Sequence, residues 1–317
     1  MTQHFDHDLD VGPTGLAAYL ELVRLPNLFT AAADVVMGFL ATHAAFEPGD
    51  GLRLGLLMGA SCSLYAAGVT LNDVFDRKLD AVERPERPIP SGRVPLAVAW
   101  VLGFLLLGLG VAAAAAAAGL GGSSRPAILA AALAALILLY NAVLKPTLAG
   151  PLAMGACRAG NVLLGMSLFE STWLGCHWLA AGAIGLYVVG LSWIARSEAR
   201  PAGRMPLVAG TVIVLAGLAV LAFLPEQVFR DLFVRQVSDE GWYLLLAILG
   251  LHTLVRCLPA VARPEEDRIQ LTVRYLILTL VVLDMAACLA FRGVTGALAV
   301  LLVFLPALFL SRWIPTT

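Results

Sequence analysis

Apolar runs of about 20 residues recur from one end of this chain to the other, and no other feature constrains its fold as much. A run of that length crosses the roughly 30 Å hydrocarbon core of a bilayer as a helix, which satisfies its own backbone hydrogen bonds where no water can. Windows of this length place helices near residues 26–46, 52–72, 94–119, 126–144, 150–170, 173–195, 206–224, 241–261, 270–291 and 294–313. Nine or ten of them span, because only Arg292 and Gly293 separate the last two, which form either a tight hairpin or a final interfacial helix. Composition agrees: 60% of the 317 residues are hydrophobic and 14% are charged, against about 25% charged in a soluble domain. The expected fold class is all-α, a polytopic transmembrane helical bundle.

A net charge of −1 gives no reason to expect a nucleic-acid partner, so the basic residues matter through their positions. Of the 21 Lys and Arg, Arg158 lies within a span. With a cytoplasmic N-terminus and ten spans, five (Arg53, Arg125, Arg230, Arg235 and Arg292) fall outside, and the other fifteen fall at cytoplasmic ends. That bias orients the chain in a cytoplasmic membrane by the positive-inside rule. Residues 1–18 lack the basic and apolar regions of a cleavable signal and read as a short disordered tail, which leaves 19–317 as one transmembrane domain. The five cysteines have no CxxC spacing and read as buried small hydrophobes. The alanine run 112–118 reads as a close-packing helix face. Trp173, Trp178, Trp242, Tyr243 and Trp313 fall at span ends, as an aromatic belt at the headgroups would.

One stretch breaks the apolar pattern. Residues 72–94, NDVFDRKLDAVERPERPIPSGRV, hold charge at a density found nowhere else in the chain. Asn72, Asp76 and Asp80 are spaced i, i+4, i+8 and share a helical face, with Asp73 on an adjacent side. Acids at the C-terminal end of a helix oppose its dipole, so their placement costs stability unless a cation offsets it. Oxygen ligands of this kind suit Mg²⁺, which keeps several waters and bridges to substrate phosphates. Arg84, Arg87 and Arg93 follow, held extended by Pro85, Pro88 and Pro90, as a clamp for phosphate oxygens beside the metal. The bland alternative is a solvated helix end whose charges simply face water.

This stretch resembles the first signature of the UbiA superfamily of intramembrane prenyltransferases, NxxxDxxxD followed by RPxRPIPSGR, and its wording is especially close to the EboC-like subgroup. ELVRLPNLFTAAADVVMGFLA is similar to the family's first helix, LYNAVLKPT to its Tyr and Lys segment, and GACRAGNVLLG to its fifth-helix pattern. The resemblance implies a helical bundle around a central cavity. It also implies an isoprenyl diphosphate held through Mg²⁺ on two Asp-rich loops, and transfer of the allylic group to an aromatic or other lipophilic acceptor. Asn72, Asp76 and Asp80 map onto the first motif, with Asp73 beside them, and Lys145 maps onto a lysine that contacts diphosphate, preceded by Tyr140 on the same helix. Where the family has a second acidic motif, this chain reads LSWIARSEARPAGRMP, with Glu198 as its only carboxylate among Arg196, Arg200 and Arg204. One carboxylate holds a second Mg²⁺ poorly, so either the arginines neutralise the diphosphate or the chemistry has changed. In the second case the chain is a UbiA-like carrier of a hydrophobic precursor.

Ionisable groups inside spans are costly and face a partner or a cavity. Asp34 lies beyond Arg24, Asn27 and Thr30 on the first helix, a face that approaches the acceptor in the resembling family; a structural bond to a neighbouring helix is the other reading. Arg158 and Asn161, nearly one turn apart, are placed to share a face towards the diphosphate. Asp284 has no basic partner on its own helix and reads as a buried hydrogen bond. His252 reads as a core histidine and Glu170 as interfacial.

Overall fold

The computed structural model describes residues 15–197 and 203–313. Their regular structure is helical throughout: α1 (Leu16–Leu22), α2 (Leu25–Thr42), α3 (Asp50–Glu83), α4 (Leu96–Gly121), α5 (Arg125–Leu139), α6 (Gly150–Met166), α7 (Gly175–Ala195), α8 (Arg204–Leu221), α9 (Leu224–Leu232), α10 (Asp239–Ala262) and α11 (Glu266–Leu310). Among the described residues eight helices are long and apolar enough to cross a membrane. The chain is an integral membrane protein. The sequence windows fall on these helices, with two refinements. α6, at 17 residues, is shorter than its window, yet it is packed against α2 and α7 in the interior. α11 is broken at Gly293, whose φ of 65° and ψ of −158° belong to a region open essentially to glycine alone, so the last two expected spans meet at this residue rather than across a loop.

α2 is the axis of the bundle. It packs against α3, α6 and α11, and nearly all its residues from Thr30 to Thr42 are buried. Its approach to α6 is backbone against backbone: a Cβ on Gly38 would collide with the Val162 carbonyl, and one on Gly165 with the Val35 carbonyl. Small residues permit such an approach in a bilayer, where burying apolar surface from lipid provides no driving force. α3 is 34 residues long, about 51 Å at 1.5 Å per residue, so it overruns a 30 Å hydrocarbon core. Its acidic C-terminal turns are the part carried beyond the apolar layer.

Three sequence expectations change here. The tail assigned to residues 1–18 lies outside the described residues up to residue 14, but Leu16–Ala18 already belong to α1, with Ala18 buried beside Val74, Val94 and Ala99. In the alanine run only Ala114 and Ala117 are fully buried, continuing a face of Gly103, Leu107 and Gly110 on α4 that meets Leu64 and Leu71 of α3. Trp242 is not a belt residue: it is buried and donates its indole N–H to the Ala222 carbonyl at 3.1 Å.

Candidate functional site

The end of α3 gathers charge from four segments. Lys145 arrives through a π-helical turn, Tyr140–Leu144, that ends α5, closed by the Lys145 N–H on the Tyr140 carbonyl at 2.9 Å. The widened turn carries the lysine towards α3, and Asn141 fastens it by donating to the Gly68 carbonyl at 3.2 Å. The Lys145 ammonium donates to Asn72 Oδ1 at 2.7 Å and to Asp76 Oδ2, and Asn72 Nδ2 donates to the same Asp76 oxygen at 2.9 Å. The sequence placed these residues together, and they meet.

Asp80 belongs to a second group. Arg87 Nη1 donates to Asp80 Oδ2 at 2.8 Å and to Asp73 Oδ1 at 3.4 Å, and Arg24 Nη2 reaches the same Asp73 oxygen at 3.2 Å. Helix geometry explains this departure from the expected single row. At 100° per residue, positions seven apart differ by about 20°, whereas positions eight apart differ by about 80°, so Asp80 aligns with Asp73 better than with Asn72. Burial works against the charge of Arg87, but Asp73 and Asp80 outweigh it and hold the guanidinium above its ordinary range. Arg24 makes its contact from a left-handed backbone, φ 50° and ψ 53°, at the α1–α2 junction, a conformation uncommon outside glycine. It was expected near the acceptor, and the structure places it on the acidic cluster instead.

The arginine clamp does not form as an extended arm. Residues 84–94 fold into consecutive turns, closed by Arg87 N–H on Arg84 O, Ser91 N–H on Arg87 O and Val94 N–H on Pro88 O. Prolines 85, 88 and 90 take positions in these turns, where a missing N–H costs nothing. Only Arg87 of the three turns to Asp73 and Asp80 among the contacts described. Arg93 instead makes a two-pronged bond to Glu21 of α1, at 2.6 and 3.0 Å. Arg84 caps the end of α3, half-buried. Arg196 also turns away, donating to the Pro146 carbonyl at 3.1 Å and to that of Thr147, so it props the segment after Lys145. Glu198 and Arg200 lie outside the described residues.

Asp34, Arg158, Asn161 and Asp284 meet deeper in the bundle. Arg158 Nε lies 2.7 Å from Asp34 Oδ2, and its Nη2 donates to the Thr30 carbonyl at 2.9 Å and lies 3.8 Å from Asp284 Oδ2. Asn161 donates to Asp34 Oδ2 at 2.8 Å and to the Ala31 carbonyl at 2.9 Å, and accepts from Ser61 of α3 at 2.6 Å. Arg158 and Asn161 do share a face, but it points at α2 and not at the acidic end of α3. Asn27 takes part through its backbone carbonyl, which accepts from Thr30 Oγ1 at 2.8 Å. Tyr140 is half-buried at the head of the π-turn.

Sequence reasoning missed Glu21 and Ser61. Ser61 had a usable signal, a polar side chain inside an apolar run; Glu21, outside the spans, had none.

Among the described residues no three His, Cys, Asp or Glu side chains converge on one point. What converges is pairs of oxygens on single cations: Asn72 and Asp76 on Lys145, Asp73 and Asp80 on Arg87.

With known proteins, the comparison is consistent. The model of the UbiA prenyltransferase family matches residues 29–261. Digeranylgeranylglyceryl phosphate synthase of Ignicoccus hospitalis is 37% identical over 161 residues, which cover 50% of this chain and 50% of that protein. The synthase of Methanosarcina mazei is 33% identical over 166 residues, 49% of this chain and 56% of that one. The chain thus matches about half the length of these curated relatives. Among solved structures, a digeranylgeranylglyceryl phosphate synthase superposes with a TM-score of 0.60 at 22% identity, covering 90% of this chain and 99% of that one. A UbiA homolog from Archaeoglobus fulgidus bound to DMAPP and Mg²⁺ superposes with a TM-score of 0.62 at 15% identity, with the same coverage. At these identities the superpositions establish the fold.

Proposed function

Because the chain belongs to the UbiA prenyltransferase family, we propose that it transfers an isoprenyl group from an isoprenyl diphosphate to a lipophilic acceptor, using Mg²⁺ at the acidic end of α3. The observation that supports this reading most is the convergence of paired oxygens on single cations at the end of an apolar bundle. Mg²⁺ takes one or two carboxylates and completes its shell with water and substrate phosphate. Two oxygens already directed at one positive centre, as Asn72 Oδ1 and Asp76 Oδ2 are at the Lys145 ammonium, fit that demand. Asn72 and Asp76 would hold one ion, and Asp73 and Asp80 would supply ligands for a second. When bound, Mg²⁺ would supply positive charge to stabilise a diphosphate leaving group.

The chain's own residues do the rest. Lys145 and Arg87 bring positive charge to the carboxylates and sit where phosphate oxygens of a bound diphosphate would need donors. The left-handed backbone at Arg24 and the Arg93–Glu21 bond fix α1 and the turn segment over the end of α3. Buried apolar side chains of α2, among them Val35, Met37 and Phe39, would keep water from an isoprenyl chain lying in the bundle. The functional unit includes α1 from Leu16 onward, with the acidic end of α3 facing the cytoplasm, as the distribution of Lys and Arg favours. The names of the curated relatives make a lipid glyceryl phosphate the first acceptor class to try, beside an aromatic one.

The test is transfer of labelled isoprenyl groups by purified protein in lipid nanodiscs, supplied with each acceptor class and Mg²⁺. Product formation that disappears in Asp76→Asn and Asp80→Asn supports the proposal. Intact binding of the diphosphate with no new carbon bond and no diphosphate release contradicts it, and would favour a carrier of prenylated or phosphorylated lipids.

A further inference from the structure

Two carboxylates and one guanidinium are sealed where α2, α6 and α11 meet. Asp34 and Asp284 have no exposed surface and Arg158 has 9%. Arg158 contacts both acids, at 2.7 Å and 3.8 Å. If both acids are ionised, the group carries one negative charge in excess. No other base offsets it by contact: among the described residues the ion pairs of both acids are with Arg158, and Arg292, two turns along α11, pairs with neither and turns its Nε to the Leu40 carbonyl at 2.6 Å. Asn161 and Ser61 are neutral, and the Asn161 amide already serves Asp34 Oδ2 and Ala31 O. An unpaired charge in a bilayer interior costs several kcal/mol, and such groups neutralise rather than remain ionised.

Hydrogen bonding leads to the same conclusion independently. Asp34 Oδ1 and both oxygens of Asp284 are buried with no donor directed at them. The two carboxyl groups are neighbours, because Oδ2 of Asp34 and Oδ2 of Asp284 approach the same Arg158 guanidinium, at 2.7 Å from Nε and 3.8 Å from Nη2. A carboxylate oxygen only accepts, so their contact is a hydrogen bond only when one of them carries a proton. A trapped water would give the orphaned oxygens a donor and still leave the charge in place.

We propose that Asp34 and Asp284 bind one proton between them, forming with Arg158 an electroneutral site that joins α2 and α11 to α6. The site shares no residue with the acidic end of α3, so it stands or falls separately from the transferase reading. The proton replaces a second cation: it removes the excess charge and bridges the two acids at once. Loss of the proton would set two ionised carboxylates against each other across the α2–α11 contact.

The experiment is infrared spectroscopy of the purified full chain in nanodiscs at neutral pH, unlabelled and with ¹³C-aspartate. The expected result is one protonated-carboxyl band that shifts with the label and is lost in Asp284→Asn and in Asp34→Asn. In each single variant the amide N–H takes the place of the proton, so the melting temperature should move by less than about 4 °C. No such band in the wild-type protein overturns the proposal, and so does a band that persists in both variants. Stability that follows Na⁺ concentration without the band would make the bound cation sodium and also overturn it. The wild-type measurement needs no variant to fold.

Discussion

Two ion clusters lie at different depths in the bundle, roughly 18 Å apart by the rise of α3 from Ser61 to Asp73, and they are built on opposite principles. In the outer one, three acids (Asp73, Asp76 and Asp80) meet three bases (Arg24, Arg87 and Lys145), and part of it reaches solvent: the side chains of Lys145 and Asp76 are 33% and 20% exposed. In the inner one, two acids share one base, and neither acid has any exposed surface. A balanced cluster open to water can exchange one cation for another, as a site for Mg²⁺ and diphosphate must. A sealed, unbalanced cluster cannot exchange side-chain partners; it can only take up or lose a proton, and its role is to hold helices together.

That contrast can be broken most directly at Arg158. Arg158→Met leaves two buried acids without their base and should cost about 3–5 kcal/mol, seen as loss of the folded peak in gel filtration and a collapsed melting transition. Asp76→Asn should do the reverse: transfer activity should fall by at least about a hundredfold, while the melting temperature stays near that of the parent. Chelating Mg²⁺ should reproduce the effect of Asp76→Asn on activity and leave the inner cluster untouched, which thermal melting with and without chelator would check. Arg93→Lys separates support from chemistry. It removes the two-pronged bond to Glu21 and should cost about 1–2 kcal/mol, with kcat unchanged, because the described contacts of Arg93 are with Glu21, Glu86 and Ser91. The smallest effect belongs to Glu226→Gln, which loses exposed pairs with Arg230 and Arg235 and should change stability by less than about 0.5 kcal/mol.

The helices were legible because each needs some 20 apolar residues whatever its neighbours are, and that requirement is local. The break at Gly293 could be anticipated because a glycine sits between two apolar runs. The outer cluster was legible as a list of residues, since NDVFDRKLD is contiguous, but its division was not, because the partners of Asp73 and Asp80 come from Arg24 and Arg87 in other segments. The inner cluster was the hardest to read. Asp34, Arg158 and Asp284 are each visible as polar residues in apolar runs, yet nothing in one sequence says that three helices so far apart in the chain bring them together. Trp242 misled because its place near a span end matches a belt residue, while its burial depends on the end of α8, whose Ala222 carbonyl accepts its indole N–H. The prolines of residues 85–90 suggested an extended arm, and the backbone bonds that close them into turns are set by where α3 ends and α4 begins.

Binding of a labelled isoprenyl diphosphate to the purified protein, titrated with Mg²⁺, tests the outer cluster most directly when the wild type is compared with Asp76→Asn. The structure predicts tight binding that requires Mg²⁺ in the wild type and is lost in the variant, at unchanged melting temperature. Binding of equal strength in both proteins, or binding indifferent to Mg²⁺, would mean that Asn72, Asp76 and Lys145 form a structural tie and that the diphosphate is held elsewhere.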